Sequence, residues 1–335
     1  MFIFVDDRWP AGEKISRLVA VRLLQEDMDR SKDITVVIPA YNRGRLIGRT
    51  LESIARQTMQ PAGVILVDNG SDDDTLAVMR EWASGREGVQ VVEEPRRGAC
   101  AARNAGLRLV ETRYVMFFDS DDEMLPGHIA DFQRAIGRYP DCGILGRDVE
   151  NRDDAGHCRR FYFSELSPIF MHIFRSTLGT QRYVALTELV RSAGGWDESL
   201  SGWDDYELGL RLLLQEPRVK DIGGRPTVIN YTHGESITGL SHREHPERWE
   251  PSLELMHRLV DRSALSERRK RKVHRWISAR TAILAARYSC EGYDEGARRC
   301  LAKACERGAA RRMRLVYHHN RLCGRLSWIP VAIMF

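Results

Sequence analysis

The seven cysteines of this 335-residue sequence are odd in number and form no C-x-x-C pair. No secretory n-region and h-region opens the chain, which favours a reducing, cytoplasmic setting. No stretch approaches eighteen uninterrupted apolar residues; the opening run Met1 to Val5 is cut off by Asp6 and Asp7, so a membrane span is not expected. No G-x-G-x-x-G follows the first predicted strand, which excludes a nicotinamide dehydrogenase. The glycine-rich, basic signature of a sugar nucleotidyltransferase is also missing there, because Pro39-Ala-Tyr-Asn42 stands in its place. The basic residues come without an aromatic-interleaved or zinc motif, which argues against nucleic acid.

What is present is a chain that is 43% hydrophobic, enough for a large core. Its net charge of +4 hides an asymmetry, acidic groups early and Arg and Lys late. Residues 1–32 read as a polar lead-in with one amphipathic helix from Lys14 to Met28. From Ile34 strands and helices alternate. Ile34 to Pro39, Val64 to Val67, Val89 to Val92 and Tyr114 to Phe118 read as strands; the segments to about Gln57, after Ser71 with the acidic turn Asp72 to Asp74, and Ala99 to Val110 read as helices. This alternation predicts an α/β fold with a mostly parallel sheet flanked by helices. Three strands end in polar residues on one edge, where open α/β sheets bind ligands.

The fourth strand stops in Asp119-Ser120-Asp121-Asp122. Asp119 and Asp121 are spaced to share one Mn²⁺ or Mg²⁺, hard cations that also take phosphate oxygens. Read alone, the same residues suit a solvated acidic loop, and Asp122 suits a cap for the helix beyond Pro126. Arg97, Gly98 and Arg103 make a basic approach to the third helix that suits phosphate. Asp68 suits a base N–H or a ribose hydroxyl, or simply a turn with Asn69 and Gly70.

Four motifs in order, Pro39-Ala-Tyr-Asn42, Val67-Asp-Asn-Gly-Ser-Asp-Asp73, Gly98 to Gly106 and Phe118-Asp-Ser-Asp-Asp122, resemble those of family-two glycosyltransferases with the GT-A fold. The likeness continues through Gly194-Gly-Trp-Asp-Glu198 and Gly202 to Arg211, covering about residues 33–240. It implies that Pro39, Ala40, Tyr41, Asn42 and Asp68 meet the nucleotide, most simply a UDP-sugar. Arg97, Gly98, Arg103, Asp119 and Ser120 would complete the donor site, with Asp119 and Asp121 on the metal. His233 would join them as a histidine does in some relatives; a loop histidine is also commonly structural. The second acid of the pair Asp204-Asp205 would be the general base, with inversion at the anomeric carbon. Relatives commonly carry Glu-Asp there, which leaves Asp204's role less defined than Asp205's. Trp196 and Trp203 are candidates for stacking on an acceptor sugar, or for the core. The acceptor implied is a glycan or lipid-linked hydroxyl in surface polysaccharide synthesis; the alternative is a silent nucleotide-sugar or glycan binding module.

These readings divide the chain into an extension at 1–32, a GT-A unit at 33–245 with its nucleotide half at 33–122, and a basic helical region at 246–335. In that last region Leu253 to Leu259 and Val273 to Tyr288 read as helices, and residues 279–304 weakly resemble one tetratricopeptide unit. Arg268 to Lys272, Arg311 to Arg314 and the apolar tail from Trp328 suit an anionic membrane, which would place the protein on the inner face of the cell membrane.

Overall fold

The structure is a computed structural model that describes residues 33–232, 242 and 244–323; His233, the expected helix at 14–28 and the tail from Trp328 lie outside the described residues. Strand β1 (Ile34–Ala40) is buried along its whole length. It lies between β2 (Gly63–Asp68) and β4 (Tyr114–Phe117), parallel to both, with β3 (Val89–Glu93) beyond β2. Continuous apolar runs of this kind suit a parallel sheet covered on both faces. Three crossover helices alternate with these strands: α1 (Ile47–Ala55), α2 (Thr75–Ala83) and α3 (Ala99–Arg108). Helix α3 packs closely on β1 because residue 106 is glycine; a Cβ there would stand 2.3 Å from Val37 Cγ1.

Beyond β4 come β5 (Glu123–Met124), α4 (His128–Arg138), β6 (Ile144–Gly146), β7 (Val149–Asp153), β8 (Cys158–Phe161) and α5 (Pro168–Arg175). They are followed by β9 (Tyr183–Leu186), α6 (Thr187–Ser192), α7 (Asp204–Leu213), β10 (Val219–Asp221) and β11 (Val228–Thr232). The main sheet runs β10-β6-β9-β4-β1-β2-β3, with β9 antiparallel to both neighbours, and a second sheet runs β5-β11-β7-β8. Among the described residues, four helices follow: α8 (Glu250–Arg262), α9 (Glu267–Cys290), α10 (Asp294–Arg307) and α11 (Ala310–Cys323).

Helix α7 belongs to two cores at once. Leu208 and Leu212 pack among side chains of the sheet and α3, while Tyr206 and Leu210 join the core of the C-terminal helices. Burial on both sides fixes where its first turn points.

One helix start differs from expectation. Helix α2 begins at Thr75, so the acidic residues 72–74 precede it, and Ser71 Oγ accepts from Asn42 N at 3.0 Å instead of capping the helix. Asp73 holds this junction, accepting from Thr75 N and from Gly44 N at 3.0 Å each.

Candidate active site

The parallel register sets Ala40 beside Asp68 and Asp68 beside Glu93, so the loops after β1, β2 and β3 meet. Asn69 ties them together: its Nδ2 donates to the carbonyls of Glu94 (2.9 Å) and Arg96 (2.7 Å), and its Oδ1 accepts from Gly98 N at 2.7 Å. Gly98 has φ +130°, open to glycine, at the entry to α3. Asp68 is buried; its Oδ2 accepts from the backbone N–H groups of Gly70 and Ser71 at 3.1 Å each. Its Oδ1 is buried with no hydrogen-bond partner among the described residues. A buried acceptor left open is costly unless a ligand donor meets it. At the mouth, the Arg97 guanidinium lies 4.3 Å from the ring centroid of half-exposed Tyr41, and Asn42, at φ +51°, receives Asp72 N at 2.8 Å. Pro39 and Ala40 line the end of β1, where the Ala40 carbonyl accepts from Asn69 N.

After β4, the four residues 119–122 take separate roles. Asp119 Oδ1 accepts from Arg103 Nη2 at 2.9 Å and its Oδ2 from Gln181 Nε2. Each oxygen thus accepts from one protein donor and keeps a second lone pair, so the expected metal role of Asp119 stays an expectation. Ser120 is buried. Asp122 is not a helix cap: it accepts from Gln181, from Asn230 Nδ2 (3.0 Å) and from Tyr231 N (2.8 Å), joining this turn to β11. Burial, then the charges of Asp121 and Asp119, push its carboxyl well above the usual range. Asp121 keeps 18% side-chain exposure, with Arg43 Nε at 3.8 Å.

Arg103 is a buried clamp, whose Nη1 donates to Asp204 Oδ2 at 2.7 Å while Nη2 holds Asp119, and its phosphate-facing role stays an expectation. One guanidinium therefore spans the strand-end turn and the first turn of α7. Asp204 also accepts from Cys100 Sγ at 3.3 Å. Its neighbour Asp205 has a carboxyl pushed up to about 7, chiefly by burial and then by the adjacent Asp204 charge, with Arg103 and Arg182 pulling the other way. The helix dipole predicts the opposite, a low pKa at a first-turn acid. Desolvation wins because α7 is enclosed by two cores.

Of the two tryptophans, Trp196 belongs to the core and Trp203 is half-buried. Trp196 is 2% exposed, set edge-on to Phe117 at 5.1 Å and covered by the Arg103 guanidinium at 4.4 Å. Trp203, at φ +50°, packs on Tyr206 and Trp249 and under Arg280, joining α7 to the C-terminal helices.

Residues 35–187 match the family described as Glycosyl transferase family 2. Chondroitin synthase of Escherichia coli is 30% identical over 188 residues, covering 53% of this chain and 26% of that protein. Residues 35–187 are a glycosyl transferase family 2 domain. The chain matches less than half the length of the first curated relatives. Among solved structures, Staphylococcus aureus TarS 1–349 in complex with UDP-GlcNAc superposes with TM-score 0.64 at 17% identity, over 86% of this chain and 89% of that one. The Pyrobaculum calidifontis mannosyltransferase PcManGT in complex with GDP-Man and Mn²⁺ gives 0.55 at 17% identity, over 93% and 97%. The family 2 domain has the GT-A fold, with a C-terminal helical region beside it.

Two residues of this glycosyl transferase family 2 domain escaped the sequence reading. Gln181 bridges Asp119 and Asp122, and Arg182, buried and lowered to about 10 by desolvation, lies in the field of Asp205. They occupy a short 3₁₀ turn, Thr180–Arg182, before antiparallel β9, where no periodicity marks them. Among the described residues no three metal-ligating side chains gather. The donor set still fits a divalent ion: Asp121 offers a hard carboxylate, and Mg²⁺ or Mn²⁺ needs only one or two such ligands when substrate phosphates supply others.

Proposed function

We propose that this chain transfers a sugar from a nucleotide-diphospho-sugar, a UDP-sugar in the first instance, to a hydroxyl of a glycan or lipid-linked acceptor, with inversion. The observation that carries the reading is the span of Arg103, which brings Asp119 and the Asp204-Asp205 turn to opposite ends of one guanidinium. Donor and acceptor chemistry thereby share one cleft. Asp68, with its open Oδ1, meets the base or ribose; Pro39, Ala40, Tyr41, Asn42, Arg97, Gly98 and Ser120 shape the nucleotide pocket. Asp121 would hold Mn²⁺ or Mg²⁺, which when bound offsets charge on the departing diphosphate.

Asp205 takes the proton from the attacking hydroxyl. A carboxylate near neutrality is a stronger base than an ordinary aspartate and remains ionised in a useful fraction at pH 7. Asp204, paired to Arg103, orients the turn. Basic residues 268–272 and the exposed Leu315 and Leu322 of α11 support contact with an anionic membrane surface; absence of flotation with anionic liposomes would remove that part. The decisive experiment measures nucleotide release from a nucleotide-sugar panel with Mn²⁺, for wild type and Asp205→Asn. Equal turnover would exclude Asp205 as base, and no turnover with retained donor binding would favour a silent binding module.

A further inference from the structure

The C-terminal helices border an open surface groove, lined mostly by exposed side chains, that the transfer reaction does not use. It is lined by Asp261 from α8, Arg271, His274 and Arg275 from α9, Arg307 from α10, and Ala309 in the turn to α11. Helix α8 starts against the acid pair's loop, where Ser252 Oγ donates to Gly202 O at 2.9 Å, and ends at the groove. From Ser252 to Asp261 the helix advances about 14 Å at 1.5 Å per residue.

Positive charge here is poorly opposed. The sole acidic lining residue, Asp261, already accepts from His274 Nε2 at 2.8 Å. His274 Nδ1 is in turn 2.8 Å from Nδ1 of buried His257, so this ring is held from both sides. Arg307 has Glu254 at 3.4 Å, but among the described residues no carboxylate pairs with Arg271 or Arg275. Helix α11 then starts beside Ala309 with Arg311 and Arg312 and no acid in its first turn. Cations at the positive end of a helix dipole are the unfavourable choice, and an anion would relieve them.

We infer that this groove binds a phosphoryl anion, either as free phosphate or as the phosphate of a lipid headgroup. Guanidinium forks match phosphate oxygens in pairs, and Arg271, Arg275 and Arg307 reach the groove from two helices. The inference stands apart from sugar transfer, since neither the acid pair nor the strand-end turn takes part.

The test uses the full chain, titrated calorimetrically with inorganic phosphate and co-sedimented with vesicles of phosphatidylcholine alone or mixed with phosphatidylglycerol. The doubly substituted Arg271→Gln, Arg275→Gln protein is expected to lose about tenfold or more of the wild-type affinity, and Arg86→Gln, in the loop between α2 and β3, none. Arg307→Gln is the second variant and decides if the double one misfolds. Loss seen only with phosphate identifies a soluble anion; loss seen only with phosphatidylglycerol vesicles identifies a headgroup. Wild type binding neither, or binding unchanged in both sets of variants, overturns the site.

Discussion

At the end of β4, Asp119 and Asp122 accept from Arg103, Gln181, Asn230 and the Tyr231 backbone, while Asp121 lies 3.8 Å from Arg43 Nε with its side chain 18% exposed. At the start of α7, Asp204 is filled by Arg103, while burial leaves Asp205 with a carboxyl near neutrality. Each cluster thus sets one carboxylate apart by satisfying its neighbours, and the neighbours decide what it can do. A part-exposed carboxylate beside an arginine-lined turn can take a cation; a desolvated one beside a like charge suits a proton.

The sharpest way to break this comparison is Asp205→Asn, expected to lower turnover roughly 10³-fold with nucleotide affinity retained; a loss under tenfold in a nucleotide-release assay would unseat the base. Arg103→Gln would strip both clusters of their shared cation, costing about 3–5 kcal/mol in urea melts. Because Arg103 holds the Asp205 pKa down, surviving activity should show its acid limb at higher pH than wild type, whose limb is expected near pH 7. An unshifted limb would uncouple the two clusters.

Asp121→Asn should lower activity on the order of 10²-fold and abolish its response to Mn²⁺, whereas Asp119→Asn should chiefly destabilise the fold. Reversal of that order would return the metal to Asp119. The smallest effect is on stability. Asp205's folded pKa lies above its unfolded value, so its ionisation opposes folding as pH rises from about 4 to about 7. Asp205→Asn should therefore be more stable than wild type at pH 8 and equal to it below pH 4. Thermal melts at both pH values check the sign.

Much of the first half was legible. The strands at Ile34, Val64, Val89 and Tyr114 announce themselves because buried parallel strands must be apolar throughout, and their polar ends fall on one edge once the pairing is parallel. The start of α2 was less legible, because a Ser before three acids looks the same whether the helix starts at once or a loop first binds Asn42 and Gly44. Residues 141–200 were not legible: β6 has three residues and β9 four, too short for periodicity, and the bonds of Gln181 join positions about 60 apart in sequence.

By itself the sequence determined the α/β order, the strand-end carboxylates and the acid pair, since these follow from local hydrophobic pattern and from residue types in short motifs. Only the tertiary structure decided which aspartate is enclosed, that Arg103 is a clamp and Trp196 core, and that cations from α9 and α10 share a groove. Protonation and pairing depend on what surrounds a group in space, and most of those neighbours are remote along the chain.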